Sequence, residues 1–268
     1  MTLPAGLPRQ LRLDGSHNFR DLGGYPCAGG RRVRPGMLFR SDHLSRLSAA
    51  DQALIAQLGI RTVIDLRREA EREDQPDCLH DPAIEQIALP IDAEGADVRA
   101  LLHQLRSGTM DSAAARRHLL EANRQFVADC SGSFRQFFDL LAAPQRYPLV
   151  FHCTAGKDRA GFAAAMTLRA LGASHETVLH DYLATNTCTA GLLDQLMAAL
   201  PGMPDIKATP ATIRALLRVE RDYLEHALAT ADALHGSVDN FMRDALGLGE
   251  AGRRHLQALL LEPGPESG

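Results

Sequence analysis

The residues best suited to chemistry lie in one run, Phe151-His152-Cys153-Thr154-Ala155-Gly156-Lys157-Asp158-Arg159-Ala160-Gly161. It holds a cysteine and an arginine with five residues between them, and none of Cys27, Cys78, Cys130 or Cys188 has arginine at that spacing. A loop of that length can curl around a phosphate with successive backbone N–H groups pointing inward. At a helix start the oriented peptide dipoles add to the attraction for an anion. Gly156 permits a backbone angle that other residues resist, and Arg159 can fork two donors onto two phosphate oxygens. Thr154, Ala155, Gly156, Lys157 and Arg159 are therefore the expected phosphate-binding set. Cys153 then sits below the phosphorus, in line for attack. The field that holds a phosphate dianion also stabilises a thiolate, so cysteines in such settings titrate well below their ordinary value. The chemistry expected is phosphate-monoester hydrolysis through a phosphocysteine. His152 is expected to orient the loop rather than to take a proton.

The elements that must position this run alternate between strand and helix. Tyr147 to Cys153 is the clearest strand, and Gly161 to Leu171 is an Ala-rich helix closed by Gly172. Upstream, Arg32 to Arg40 reads as a strand around Pro35-Gly36. Ser48 caps a helix over Ala49 to Leu58 with Asp51 in a capping-box position, and Gly59 ends it. Arg61 to Leu66 is a short β-branched run, and Ile84 to Ile91 is a further strand. Residues 92–130 open on a polar stretch and continue as two helices, the second over Ala113 to Cys130. They form either a lid over the site or a crossover between parallel strands. From Ser174 onward the pattern is helical over 174–186, 189–199, 211–234, 238–246 and 250–261. The expectation is one α/β domain over residues 1–268, with a central, mostly parallel sheet flanked by helices and a helical C-terminal part.

At these residues the chain resembles the cysteine-dependent protein tyrosine phosphatases. More narrowly, it is similar to the bacterial tyrosine phosphatase family whose loop reads H-C-x-x-G-K-D-R-[ST]-G. His17-Asn18-Phe19-Arg20-Asp21-Leu22-Gly23-Gly24-Tyr25 agrees, as do Phe39-Arg40-Ser41, Ile64-Asp65-Leu66-Arg67 with Glu69, and Gly236 to Leu246. The likeness spans nearly the whole chain. It implies action on phosphotyrosine, and in some members on phosphoserine/threonine or phosphoinositides, with inorganic phosphate released and no cofactor. For Lys157 it implies a second cation for acidic substrates such as inositol phosphates. Asn18, Arg20 and Asp21 are expected to brace the loop rather than touch substrate.

The acid that protonates the leaving oxygen is less plain. The chain has no tryptophan, so the usual Trp-Pro-Asp loop is absent. Asp158 is favoured, because burial beside a dianion raises a carboxyl pKa toward a useful value. Asp65 is second, with a salt bridge to Arg67 or Arg159 as the competing explanation. Asp92 and Asp97 read as solvated loop carboxylates. Ala160 stands where the family carries Ser or Thr, whose hydroxyl helps the sulfur leave, so phosphoenzyme hydrolysis is expected to be slow unless Thr154 or Ser41 substitutes. The rival reading is a pseudophosphatase that binds phosphorylated ligands without turnover. Arsenate reduction lacks a cysteine flanking the loop, and sulfur transfer would not need Arg159.

Composition limits the remainder. Net charge of -4 gives no drive toward nucleic acid. No run of apolar residues is long enough to span a membrane. The eleven histidines include no H-E-x-x-H pair, so a metal centre is not expected. Five widely spaced cysteines without a C-x-x-C pair suit a reducing cytoplasm. No cleavable signal is evident, and export by a route that needs none stays open.

Overall fold

A computed structural model describes residues 9–93 and 98–264 of the chain. The strands are β1 (Arg9–Gln10), β2 (Arg20–Asp21), β3 (Pro26–Cys27), β4 (Arg31–Val33), β5 (Leu38–Ser41), β6 (Thr62–Asp65), β7 (Glu85–Ala88), β8 (Leu149–His152) and β9 (Leu261–Pro263). The main sheet runs β1-β2-β5-β8-β6-β7. β5, β8, β6 and β7 pair in parallel, and β1 and β2 extend the sheet antiparallel beyond β5. Every residue of β5, β6 and β8 is buried. That is the condition of parallel strands covered on both faces, and it explains their continuous rather than alternating apolar runs. A mostly parallel sheet flanked by helices is thus what the chain forms.

The helices are α1 (Ala49–Leu58), α2 (Glu69–Asp74), α3 (Val98–Ser107), α4 (Ser112–Ala128), α5 (Ser131–Leu141), α6 (Arg159–Leu171), α7 (His175–Cys188), α8 (Ala190–Ala199), α9 (Pro210–Leu217), α10 (Arg221–His235), α11 (Val238–Asn240) and α12 (Glu250–Leu260). α6 is the central one, buried along almost its whole length. Its alanines admit close neighbours, and Phe162 stacks among Phe126, Phe134 and Phe241 with ring centroids 4.8–6.5 Å apart. Burial of each such ring is worth about 1.5–3 kcal/mol, so the helix that carries Arg159 stands on a rigid base.

Several local signals act as expected. Ser48 and Asp51 form the capping box of α1, and Gly59 closes it with φ 65°. Asp51 also accepts from the amides of Asp14 and Gly15, at 2.8 and 2.9 Å, which ties the N-terminal segment to α1. Others differ. The run Arg32 to Arg40 is two strands in two sheets. The turn at Pro35-Gly36 separates them, with Gly36 at φ 75° and its N–H donated to Asp21 Oδ2 at 2.7 Å. The expected helix over 211–234 is broken between α9 and α10. The Asn186 amide bonds both N–H and C=O of Val219, at 2.9 and 2.8 Å, replacing the helical partners of that residue. After α12 comes β9, paired with β4.

Candidate active site

β5, β8 and β6 end in register, with Ser41, His152 and Asp65 side by side. The segments leaving their carboxyl ends therefore converge at one edge of the sheet, where open α/β sheets place ligands. Residues 153–158 form the loop between β8 and α6.

The direction of its peptide groups follows from what holds its carbonyls. The Thr154 carbonyl accepts from the His43 amide at 3.1 Å. The Ala155 carbonyl accepts from Asn18 Nδ2 at 2.9 Å, and the Gly156 carbonyl from Arg40 Nη2 at 2.6 Å. His152 Nδ1 lies 3.2 Å from the Cys153 carbonyl. In a trans peptide N–H points opposite to C=O, so pinning four successive carbonyls from outside aims the amides of residues 154–157 into the loop. Gly156 is required here: its φ is +64°, and a Cβ would lie 2.5 Å from the Ser41 carbonyl oxygen and 2.6 Å from the Asp42 nitrogen. The loop is seated directly on the exit of β5. Asn18 and Arg40 thus act as braces, and Arg20 acts one step further out. Arg20 and Arg40 share the buried Asp181 carboxylate at 3.1 and 2.6 Å. Asp21 serves a turn, accepting from the Gly23 and Gly36 amides at 2.7 Å each.

Cys153 and Arg159 face a cleft of about 200 Å³. Thr154, Ala155, Lys157 and Asp158 line its floor. Leu101, Leu102 and Leu105 of α3, Leu119 of α4, and Leu216 and Leu217 of α9 form its walls. Arg159 is buried and held by Glu71, with Nη1–Oε2 at 2.7 Å and Nη2–Oε1 at 2.8 Å. Thr154 Oγ1 also donates to Glu71. Burial opposes the charge on Arg159, but the Glu71 hydrogen bonds and the neighbouring Cys153 outweigh it and raise the guanidinium pKa. Burial likewise opposes the Glu71 carboxylate, yet Arg159 and Thr154 hold its pKa below the usual range. Glu71 fixes the arginine in a fork that still faces the loop. Nothing in the run Glu69-Ala70-Glu71-Arg72-Glu73-Asp74 sets it apart from the other carboxylates there.

Asp158 lies at the start of α6 without capping it. Its Oδ1 is buried without a hydrogen-bond partner, and its Oδ2 lies 3.3 Å from Lys157 Nζ. Asp65 is not brought to the cleft. Its carboxylate takes the Arg67 guanidinium at 2.7–3.1 Å and the Arg67 amide at 2.9 Å, which is the salt-bridge alternative. Asp92 is exposed and pairs with Arg68 at 2.6 Å, and Asp97 lies outside the described residues. Lys157 is neither solvated nor aimed at the loop centre. Its Nζ donates to the Leu216 carbonyl at 2.6 Å, the last turn of α9, where a cation is favoured. Asp65, Asp77 and His152 bring three possible ligand atoms together, but the Arg67 guanidinium already bridges both carboxylates, at 2.7 and 2.9 Å.

A cysteine beside a cradle of amides and a fixed guanidinium can receive a tetrahedral oxyanion and attack its centre. The chain is similar to known proteins along most of its length. The model of the tyrosine phosphatase family matches residues 11–262. A protein of Cupriavidus necator named as a candidate tyrosine-protein phosphatase is 36% identical over 236 residues, which cover 88% of this chain and 84% of that one. The triple specificity protein phosphatase PtpB of Mycobacterium tuberculosis is 31% identical over 281 residues, covering 93% and 98%. A tyrosine-protein phosphatase of Nostoc commune is 33% identical over 145 residues, covering 53% and 46%.

Proposed function

The chain belongs to the tyrosine phosphatase family, and from that premise we propose how its residues divide the hydrolysis of a phosphate monoester. Cys153 Sγ bonds to phosphorus as the bond from phosphorus to the leaving oxygen breaks. Asp158 gives that oxygen its proton. The amides of residues 154–157 and the Arg159 fork hold the equatorial oxygens, whose charge grows in the transition state. Water then attacks phosphorus, the S–P bond breaks with its electrons returning to sulfur, and the Asp158 carboxylate takes the proton from water. Inorganic phosphate leaves. Glu71 positions Arg159, and Asp65 braces Arg67 instead of exchanging protons.

The observation that carries this division is the contrast between the two aspartates. Asp158 lines the cleft and meets one partner, Lys157 at Oδ2, whereas both oxygens of Asp65 are held in short hydrogen bonds by Arg67 away from the cleft. With an aryl phosphopeptide, Asp158→Asn should lower kcat by roughly 10²–10³-fold, the usual worth of a general acid. Asp65→Asn should act through stability and leave the kcat of the folded fraction within about threefold. Loss of turnover in Asp65→Asn alone would reverse the assignment.

Leucine walls on a narrow cleft suit the ring of phosphotyrosine. Action on phosphoserine/threonine and on phosphoinositides is proposed from the likeness to the triple specificity enzyme. For an inositol phosphate, Lys157 would exchange the Leu216 carbonyl for a second phosphate. α3 serves as the inner part of a lid, to be displaced by larger substrates. All five cysteines are free thiols, which fits a reducing cytoplasm. Among the described residues, no helix is long and apolar enough to cross a membrane.

The hydroxyls that could replace the one missing at Ala160 are engaged elsewhere. Thr154 donates to Glu71, and Ser41 bonds Ser16 at 3.0 Å and Asp42 at 3.3 Å. Breakdown of the phosphocysteine should therefore limit turnover. Rapid-quench measurement with para-nitrophenyl phosphate should give a product burst near one equivalent, and Ala160→Thr should shrink it. A linear time course from the wild type would show that phosphorylation, not hydrolysis, is slow.

A further inference from the structure

Behind the phosphate loop lies a buried charge cluster that the division above does not use. His152 is fully buried. Its Nδ1 faces the Cys153 carbonyl at 3.2 Å, and its Nε2 faces Asp77 Oδ2 at 2.8 Å and Asp65 Oδ1 at 3.9 Å. A carbonyl has no proton to give. Asp77 Oδ1 accepts from the Leu44 amide at 3.0 Å and from Arg67 Nη2 at 2.9 Å, the surroundings of an ionised carboxylate. Both ring nitrogens therefore meet acceptors. A neutral imidazole donates from one nitrogen only and would turn a lone pair toward oxygen at a ring sealed from solvent.

Charge balance points the same way. The groups facing His152 are Asp77 from the segment after α2, Asp65 from the end of β6, Arg67 just beyond it, and His43 after β5. Burial pushes the His43 pKa down, toward the neutral ring. Arg67 alone leaves Asp65 and Asp77 with one excess negative charge, directly behind the nucleophile. A second proton on His152 cancels it. Burial by itself would lower the His152 pKa, but Asp77, by charge and by hydrogen bond, and then Asp65 raise it.

We propose that Asp77 is a positioning residue that keeps His152 doubly protonated, so that a buried imidazolium supports the Cys153 thiolate from behind while Arg159 supports it from the cleft. This rests on Cys153 being the nucleophile, but its test does not need phosphate turnover. Iodoacetate reacts with thiolate rather than thiol, so the pH dependence of Cys153 alkylation reads the anion directly. In Asp77→Asn the midpoint of that profile should move up by about one unit, and alkylation at pH 6 should slow roughly tenfold. For para-nitrophenyl phosphate, kcat/KM should fall about tenfold at pH 6 and recover toward wild type as the pH rises. An alkylation profile superposable on that of the wild type overturns the proposal, as does an activity loss equal at every pH, which is what loosened packing alone would give. Should Asp77→Asn fold poorly, nitrogen NMR of the wild type decides: His152 should show both ring nitrogens protonated from pH 6 to 8, and a neutral tautomer there overturns it. If the cysteine reading itself were wrong, complete alkylation of Cys153 would leave hydrolysis intact, an outcome distinct from all of these.

Discussion

Cys153→Ser should abolish measurable turnover, lowering kcat for para-nitrophenyl phosphate by about 10⁴-fold or more, or at least ~5.5 kcal/mol of transition-state stabilisation. The magnitude follows from what serine lacks. The amides of residues 154–157 and the Arg159 fork would remain, since none of their anchors involves Cys153 Sγ: Asn18, Arg40, His43 and Glu71 hold them. A serine hydroxyl in the same place stays protonated at neutral pH. The neighbouring imidazole, His152, is not placed to act as base, because both its nitrogens are already engaged. The variant should therefore keep its affinity for a phosphotyrosine peptide while losing chemistry. Calorimetry and turnover measured on one preparation separate the two. Residual activity within a hundredfold of wild type would mean that phosphorus is attacked by something else, such as water.

That the chemistry could be read from the sequence, and much of its support could not, has a physical cause. The parts that touch phosphate are consecutive, from Cys153 to Arg159, because a nest of amides must come from one stretch of backbone. The parts that hold them come from across the fold. Glu71 sits in a run of charged residues on a one-and-a-half-turn helix, and only the path of the chain after β6 brings it against Arg159. Asp77 is equally plain in sequence and equally specific in place. Asp65 was legible as a carboxylate near the loop strand, but its commitment to Arg67 two residues on is a matter of side-chain direction, which spacing does not encode. The orientation of Lys157 depends on the end of α9, and that end depends on Asn186 capturing Val219. β9 lies beside β4 through a pairing more than two hundred residues apart in the chain, Arg32 with Glu262, and short edge strands leave almost no local signal. Capping boxes, glycine stops and buried β-branched runs are local, and they did act where expected.

Asp181→Ala should be the most damaging change outside the loop, costing about 3–5 kcal/mol, the usual consequence of stranding buried charge. Asp181 is the single carboxylate between Arg20 and Arg40, and all three side chains are sealed from solvent. Without it two guanidiniums face each other in the dry interior, and the repulsion already shows: burial and Arg20 push the Arg40 pKa down even with Asp181 present. The effect reaches the active site because Arg40 holds the Gly156 carbonyl. When Arg40 shifts, the Lys157 amide that opposes that carbonyl turns with it. Thermal unfolding should begin roughly 8–15 °C lower, and phosphate affinity should weaken in the fraction that stays folded. Asp244→Ala, which breaks an exposed pair with Arg243, should leave the melting temperature unchanged and serves as the control. The sign with pH follows from the carboxylate. Burial would raise the Asp181 pKa, but Arg20 and Arg40 bring it below its ordinary value of 3.8. The folded state therefore binds this proton less readily than the unfolded chain does. Its contribution is complete above that ordinary value and is lost as the pH falls through the lower, folded one. The melting temperatures of wild type and Asp181→Ala should accordingly differ most near neutral pH and converge in strong acid. A gap that stayed constant down to pH 2 would mean that the alanine acts through lost packing, and that the two arginines find other partners.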